Sequence, residues 1–412
     1  MPHVHRAEWV LPIDAPPIRN GWVAVESGRI VALGAWPQRR QTPHADWGQT
    51  PPTDWSQAPT GAVAILPGLV NAHTHLELSW MRGQVPPGDA MPAWAAQLIG
   101  IRRQAGSDPV EPIVDAIADA RAYGTALVGD ITNTLAACEP LADSQLGAAV
   151  FYELIGFAPA NADAVVDDAT RRLAAIATGD RVRATVVPHA PYSVSPDLFR
   201  AIGRAAGDRP LSVHLGESRE ERQFLQDGTG AWRVLLEAVG AWNRDWTAPA
   251  CGPVEYLARF GLLNDRLLAV HGAQLTDEEL QRLAAADATV VACPRSNAWT
   301  GAGTPPIGRF YASGVRVALG TDSLASVDDL SVFAEMAAVR ALAPDVPAAR
   351  ILESATLHGA AALGFGAELG SIAPGKRAEL IAVSIPADVE DVEEYLLSGI
   401  ARDRIRWLHA NA

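Results

Sequence analysis

What the 412-residue chain lacks narrows its possible roles first. It has three cysteines, Cys138, Cys251 and Cys293, far apart and odd in number. No disulfide framework is expected, and a reducing cytoplasm is the default compartment. No uninterrupted apolar run reaches ~18 residues, which excludes a transmembrane helix. Residues 1–10 show no basic segment leading into an apolar core, so no signal peptide is expected. Positive charge is short as well: the formal net charge is -14. That argues against non-specific binding to nucleic acid or to an anionic membrane. Lysine is almost missing, with Lys376 the only one.

What is present fits a soluble globular protein, with 49% apolar and 19% charged residues. The length allows one large domain plus a smaller one. Residues 21–25 and 29–33 flank Glu26-Ser27-Gly28 and read as a β-hairpin, followed by a polar, proline-containing surface loop over 37–60. From residue 65 onward, apolar runs at 65–70, 125–131, 148–154, 184–188, 211–214, 267–271, 288–292 and 315–319 alternate with helix candidates. The helix candidates include 110–123, 162–177, 196–206, 230–239, 277–286 and 330–342. Eight strand–helix units predict an α/β fold, a closed (β/α)8 TIM barrel over 66–367, with an open doubly wound sheet as the alternative. The turn at 370–376 and the strand at 380–383 are expected to join residues 1–65, so that 1–65 and 368–412 build a small β-sandwich from both chain ends.

Chemistry-bearing residues sit where the runs end. His73 and His75 follow the first run, and residues two apart on a strand share a face. His214 ends the run at 211–214, His271 ends the run at 267–271, and Asp322 follows the last run. In a barrel the C-terminal strand ends converge on one mouth. Three or four nitrogen and oxygen ligands with an open position suit a catalytic divalent metal. His73, His75, His214 and Asp322 are the predicted ligands. Zinc is the first choice of metal, and iron is open to the same donors. A two-metal site would need a bridging ligand from mid-barrel, often a carbamylated lysine, and the barrel has no lysine. Glu153 could bridge in principle, but one metal is expected. Glu217, three residues after His214, is placed to move a proton between water and leaving group. Asp322 is assigned as a second acceptor for the water proton, and His271 as the group that orients the attacking oxygen and stabilises developing charge.

Further candidates for substrate contact are His189 after the fourth run, Arg295, Ser296 and Asn297 after the seventh, and Ser323 beside Asp322. Trp80 and Trp94 in the first loop could stack on a flat substrate. Glu77 either faces the pocket or pairs with an arginine such as Arg82.

With these residues in place, the chain resembles the amidohydrolase superfamily, and within it the branch of cytosine deaminase, S-adenosylhomocysteine deaminase and chlorohydrolase. The resemblance runs over nearly the whole chain. It is carried by Pro-Gly-Leu-Val-Asn-Ala-His-Thr-His (67–75), Pro-His-Ala-Pro-Tyr-Ser (188–193), His-Leu-Gly-Glu (214–217), Val-His-Gly (270–272), Cys-Pro-Arg-Ser-Asn (293–297) and Gly-Thr-Asp-Ser (320–323). It implies a TIM barrel with a flanking sandwich, a zinc or iron ion on the four ligands named above, and Glu217 as proton shuttle. The implied reaction is hydrolytic deamination of an amino-substituted heteroaromatic ring. Dechlorination or N-dealkylation of a triazine-like ring, amide hydrolysis, and a catalytically dead binding protein are the alternatives. His-Thr-His-Leu-Glu-Leu-Ser (73–79) and Glu-Leu-Ile-Gly-Phe (153–157) look like the aminodeoxyfutalosine deaminases. Two departures stand out. Met91-Pro92-Ala93-Trp94 occupies the first loop where adenosine-type members carry a ribose-binding glutamate, and Glu379 replaces the usual aspartate after Gly375-Lys376. The expected partner is a small molecule, with a homodimer possible.

Overall fold

The computed structural model describes residues 2–36, 62–105, 109–176 and 179–408. The loop expected at 37–60 lies outside the described residues. Fourteen strands are described. β1 (His3–Val10), β2 (Ile18–Glu26), β3 (Arg29–Ala35), β4 (Val63–Pro67), β13 (Leu380–Ser384) and β14 (Ile405–Leu408) form one six-stranded sheet in the order β14-β13-β4-β1-β2-β3. Its pairs are antiparallel except β1 with β4. Both chain ends therefore contribute to a single mixed sheet. The turn between β2 and β3 puts Ser27 at φ 51 and Gly28 at φ 72, the left-handed pair that a two-residue hairpin requires.

The other eight strands are β5 (Leu69–Thr74), β6 (Thr125–Thr132), β7 (Gly147–Leu154), β8 (Val182–Pro188), β9 (Leu211–Leu215), β10 (Leu267–His271), β11 (Thr289–Ala292) and β12 (Arg316–Leu319). They pair in parallel in two sheets, β5-β6-β7-β8 and β9-β10-β11-β12. Most are buried along their whole length, as parallel strands covered by helices must be. Crossover helices such as Pro196–Ala206 and Asp277–Ala285 start at Ser195 and Thr276, whose side chains accept from the third helical amide. Among the described residues no helix is long and apolar enough to cross a membrane.

The two parallel sheets touch at both edges. At one, the His214 amide donates to the His189 carbonyl at 2.9 Å. At the other, the Asp322 amide donates to the His73 carbonyl at 3.0 Å. There the Asn71 side chain also donates to Thr321 Oγ1 at 2.7 Å and accepts from the Thr321 amide at 3.0 Å.

The apolar run at 65–70 corrects one expectation. It is two strands in two sheets, not one strand, and the chain changes sheet at Gly68. A Cβ on Gly68 would lie 2.5 Å from Ala126 Cβ and 2.8 Å from the Trp407 ring. Only a residue without a side chain passes between them.

Candidate active site

The register of the parallel strands brings the strand-end residues together. His73 lies at the end of β5, Glu153 near the end of β7, His214 on β9 and His271 at the end of β10; Asp322 follows β12. His271 has φ 72 and Asp322 φ 62, left-handed conformations uncommon for residues with a side chain and concentrated at working sites.

The His73 ring is the centre of the cluster. Its centroid lies 5.0 Å from that of His75, 4.9 Å from His214 and 5.6 Å from His271. It is fully buried, and neither ring nitrogen has a hydrogen-bond partner among the described residues. Two unpaired nitrogens in a dry site are costly unless something binds them. His73, His75 and Asp322 place one donor each within 4.8 Å of one another, and so do His73, His214 and His271. Burial, reinforced by neighbouring histidines, holds His73 well below the ordinary imidazole range, and burial pushes His271 down to about 3. Neutral imidazoles beside a carboxylate are the state a divalent cation binds. Burial also opposes charge on His214, but the Glu153 carboxylate beside it pushes that imidazole up to about 9, so there a cation must displace a proton. The donor set therefore fits the metal expected from the sequence.

Asp322 is held on every side. Oδ1 accepts from the Ser323 amide at 2.8 Å and stands 3.4 Å from His75 Nε2; Oδ2 accepts from Ser296 Oγ at 2.6 Å. Burial opposes its charge, but His75, His271 and the Ser296 hydroxyl keep this carboxyl below its ordinary value. Glu217 is equally buried, and burial pushes it up to about 8, with His214 pulling the other way. Its Oε2 is unpaired among the described residues. A carboxyl that holds a proton near neutrality can give one away as well as take one.

A residue the sequence reading missed sets the Glu217 backbone. Glu221, fully buried, accepts from the Gly216 amide at 3.0 Å and the Glu217 amide at 2.9 Å. The signal was Ser218-x-x-Glu221, a helix-start pattern. Ser218 does accept from the Glu221 amide, while the Glu221 carboxylate reaches past the cap to the loop before it.

Above the cluster lies a cavity of about 510 Å3, within the usual size for a small-molecule site. His75, Glu153, His189, His214, Glu217, His271, Asp322 and Ser323 are among its polar lining, with Arg102 and Asn133 beside them. Met91, Trp94, Leu98, Phe157, Tyr192 and Trp232 are among its apolar walls. Tyr192 and Trp232 stack at 3.7 Å, and the Trp232 indole donates to Ser218 Oγ. Of the expected substrate-contact residues, His189, Trp94 and Ser323 line this space.

Five others do not. Trp80 packs beside Leu78, Met81, Val85 and Trp94, because the short 3-10 turn Leu76–Met81 carries it out of line with the cavity. Arg295, Ser296 and Asn297 open the helix Pro294–Thr300, which tucks its first turn under the site. Arg295 pairs with Glu335 at 2.7 Å and Asp329 at 2.9 Å. Ser296 holds Asp322, and the Asn297 amide contacts His271 Nδ1 at 3.2 Å. Glu77 is 1% exposed and pairs with Arg102 at 2.6 Å, while Arg82 pairs with Asp119. Glu77 also accepts from the Thr132 and Thr134 hydroxyls and from the Asn133 and Thr134 amides. It is the anchor of the loop after β6.

The amidohydrolase family profile matches residues 64–401. A 5-methylthioadenosine/S-adenosylhomocysteine deaminase of Nitratidesulfovibrio vulgaris is 30% identical over 385 residues, covering 90% of this chain and 80% of that protein. An aminodeoxyfutalosine deaminase of Deinococcus radiodurans is 32% identical over 357 residues, covering 81% of this chain and 78% of that protein. A crystal structure of an adenosine deaminase from Xanthomonas campestris with bound zinc matches with a TM-score of 0.78 at 29% identity, over 98% of this chain and 90% of that one. A profile match over most of the chain, together with relatives aligned along most of their length, means that the chain belongs to the amidohydrolase family.

Proposed function

We propose that this protein is a metal-dependent hydrolase of carbon–nitrogen bonds that removes the amino group from an adenosine-like ring. The observation that carries the reading is His73: a fully buried imidazole with neither nitrogen hydrogen-bonded among the described residues, ringed by His75, His214 and Asp322, with Glu217 beside the same cluster. His73, His75, His214 and Asp322 would hold one divalent ion, with zinc the first choice. When bound, the ion supplies Lewis acidity that lowers the pKa of a water molecule. Glu217 takes a proton from the attacking water and delivers it to the departing nitrogen, so that ammonia leaves and a carbonyl remains on the ring. Asp322 is the second acceptor, and His271 steadies the charge that develops at the attacked carbon. His189, Trp94 and Ser323 contact the substrate. The apolar walls suit a ring that carries a less polar substituent away from the floor.

The same reading closes the two parallel sheets into a (β/α)8 barrel, supported by the hydrogen bonds at both seams. It starts the barrel at β5, a few residues later than the expected 66 because β4 ends in the end sheet at Pro67, and takes it to 367; β1 to β4 with β13 and β14 make the flanking β unit, as a sandwich. The three cysteines are unpaired and buried, which agrees with a reducing cytoplasm.

The test is ammonia release by zinc-loaded protein from 5'-methylthioadenosine, S-adenosylhomocysteine, aminodeoxyfutalosine, adenosine, adenine, guanine, cytosine, a pterin and an aminotriazine. Release from an adenine nucleoside with one zinc per chain is expected. Full zinc loading with no release from any adenine compound overturns the reading.

A further inference from the structure

Glu153 is a buried carboxylate beside the histidine cluster that the reaction outlined above does not use. It is 5% exposed and lies near the end of β7. Oε1 stands 3.4 Å from Nδ1 of His214. The same Nδ1 lies 3.2 Å from the His189 backbone carbonyl. A carbonyl oxygen accepts only, so a contact of this kind needs a hydrogen on Nδ1. With a carboxylate as second acceptor, that hydrogen has two partners, and Nε2 is left as the nitrogen with the lone pair.

Glu153 is itself held. Its Oε2 accepts from Asn133 Nδ2 at 3.0 Å. The amide of Asn133 has a fixed sense, because Arg102 Nη1 donates to its Oδ1 at 3.2 Å. The Asn133 backbone amide donates to Glu77. A continuous chain thus runs from Glu77 through Asn133 and Glu153 to His214.

We propose that Glu153 is the positioning residue for His214: it fixes the imidazole with its hydrogen on Nδ1 and presents Nε2 to the cluster around His73. The inference rests on the metal-dependent reading above. A carboxylate on the far nitrogen of a ligating histidine sets the ring's orientation and raises its basicity as a donor. The competing use of these atoms is a second cation held by Glu153, His189 and His214, whose donors lie within 4.8 Å of one another. That cation needs the lone pair of His214 Nδ1, the atom that already faces the His189 carbonyl.

The experiment is competition for zinc between a chromophoric chelator and the zinc-free protein, for wild type, Glu153→Gln and Asn133→Ala. Glu153→Gln keeps the shape and removes the charge. Its zinc affinity is expected to fall about 10–100-fold, with one zinc per chain at saturation and a zinc-free melting temperature close to wild type. Asn133→Ala frees the carboxylate from its clamp and is expected to lose a smaller factor in the same direction, which keeps the inference testable if Glu153→Gln does not fold. Cobalt substituted for zinc should show a shifted visible spectrum in Glu153→Gln. Wild-type zinc affinity in both variants overturns the inference. A wild type holding two zinc ions and a Glu153→Gln variant holding one also overturn it, since Glu153 is then a ligand. A wild type that takes up no zinc overturns the proposed function, and this inference with it.

Discussion

Glu217 Oε1 stands 3.5 Å from His271 Nε2, and both side chains are almost wholly shut off from solvent. The pair puts side by side the two groups to which the proposed function gives proton transfer and charge stabilisation. Glu217→Gln keeps the side-chain shape and removes the ability to take up a proton. Turnover is expected to fall about a hundredfold to ten-thousandfold, with KM little changed and zinc still bound. Steady-state ammonia release together with metal analysis checks it. Full activity in Glu217→Gln removes the shuttle assignment.

Arg295 gives a stability prediction rather than a catalytic one. Its partner Glu335 is fully buried, and burial pushes that carboxyl up to about 7 while Arg295 holds it back. Arg295→Met leaves Glu335 without its cation. Breaking a buried pair from one side costs about 3–5 kcal/mol. The Arg295 side chain is 22% exposed, so the lower end of that range is expected. Denaturant unfolding of the metal-free variant measures it. A change within the noise of ordinary surface substitutions contradicts it.

The strand-end histidines and Asp322 were legible because parallel strands send their C-termini to one side, so position on a strand was enough to group them. The helices were legible from their place between apolar runs: 196–206 was read with the bounds observed, and in the structure the Ser195 side chain caps its start. Substrate contacts were harder. Arg295, Ser296 and Asn297 follow a strand end just as His214 does, yet the next turn is helical and drops them beneath the cavity. Nothing in their spacing distinguishes a side chain that faces substrate from one that braces Asp322. Glu77 was ambiguous because its partner Arg102 lies 25 residues away on the helix Met91–Ala105, not on its own turn. Gly68 marks a change of sheet that apolar pattern alone could not reveal, since both sheets bury their strands.

The end sheet carries a pH prediction. His5 is 9% exposed, its Nε2 has no partner among the described residues, and burial, with His3 and Arg406 nearby, pushes it down to about 4. The folded state therefore refuses a proton that the unfolded chain accepts near 6.5. Between pH 4 and 6.5 the unfolded state binds more protons, so stability falls as pH falls through this window. The full gap corresponds to about 3 kcal/mol as an upper bound. His5→Leu removes the titration, so its loss of stability from pH 7 to pH 4 is expected to be smaller than that of wild type. Urea unfolding of both chains at the two pH values checks this, and equal losses rule out His5 as the cause.

Gly320 links the seam to the cluster. A Cβ placed on it would lie 2.8 Å from His73 Cβ and 2.9 Å from both the His73 amide nitrogen and carbonyl oxygen. These are backbone and near-backbone atoms, so no flexible side-chain end can swing aside. Gly320→Ala must push β5 away from the end of β12, and His73 moves with it. Two effects are expected together. Overpacking costs about 1–3 kcal/mol of stability, and zinc affinity falls, because the Asp322–His73 hydrogen bond at the same seam positions both proposed ligands. A zinc titration and an unfolding curve on one protein sample separate the two. Loss of stability with wild-type zinc affinity would show that the seam holds the strands but does not set the site. Loss of both ties metal binding to the contact between β5 and β12, where the first and last of the eight strands meet.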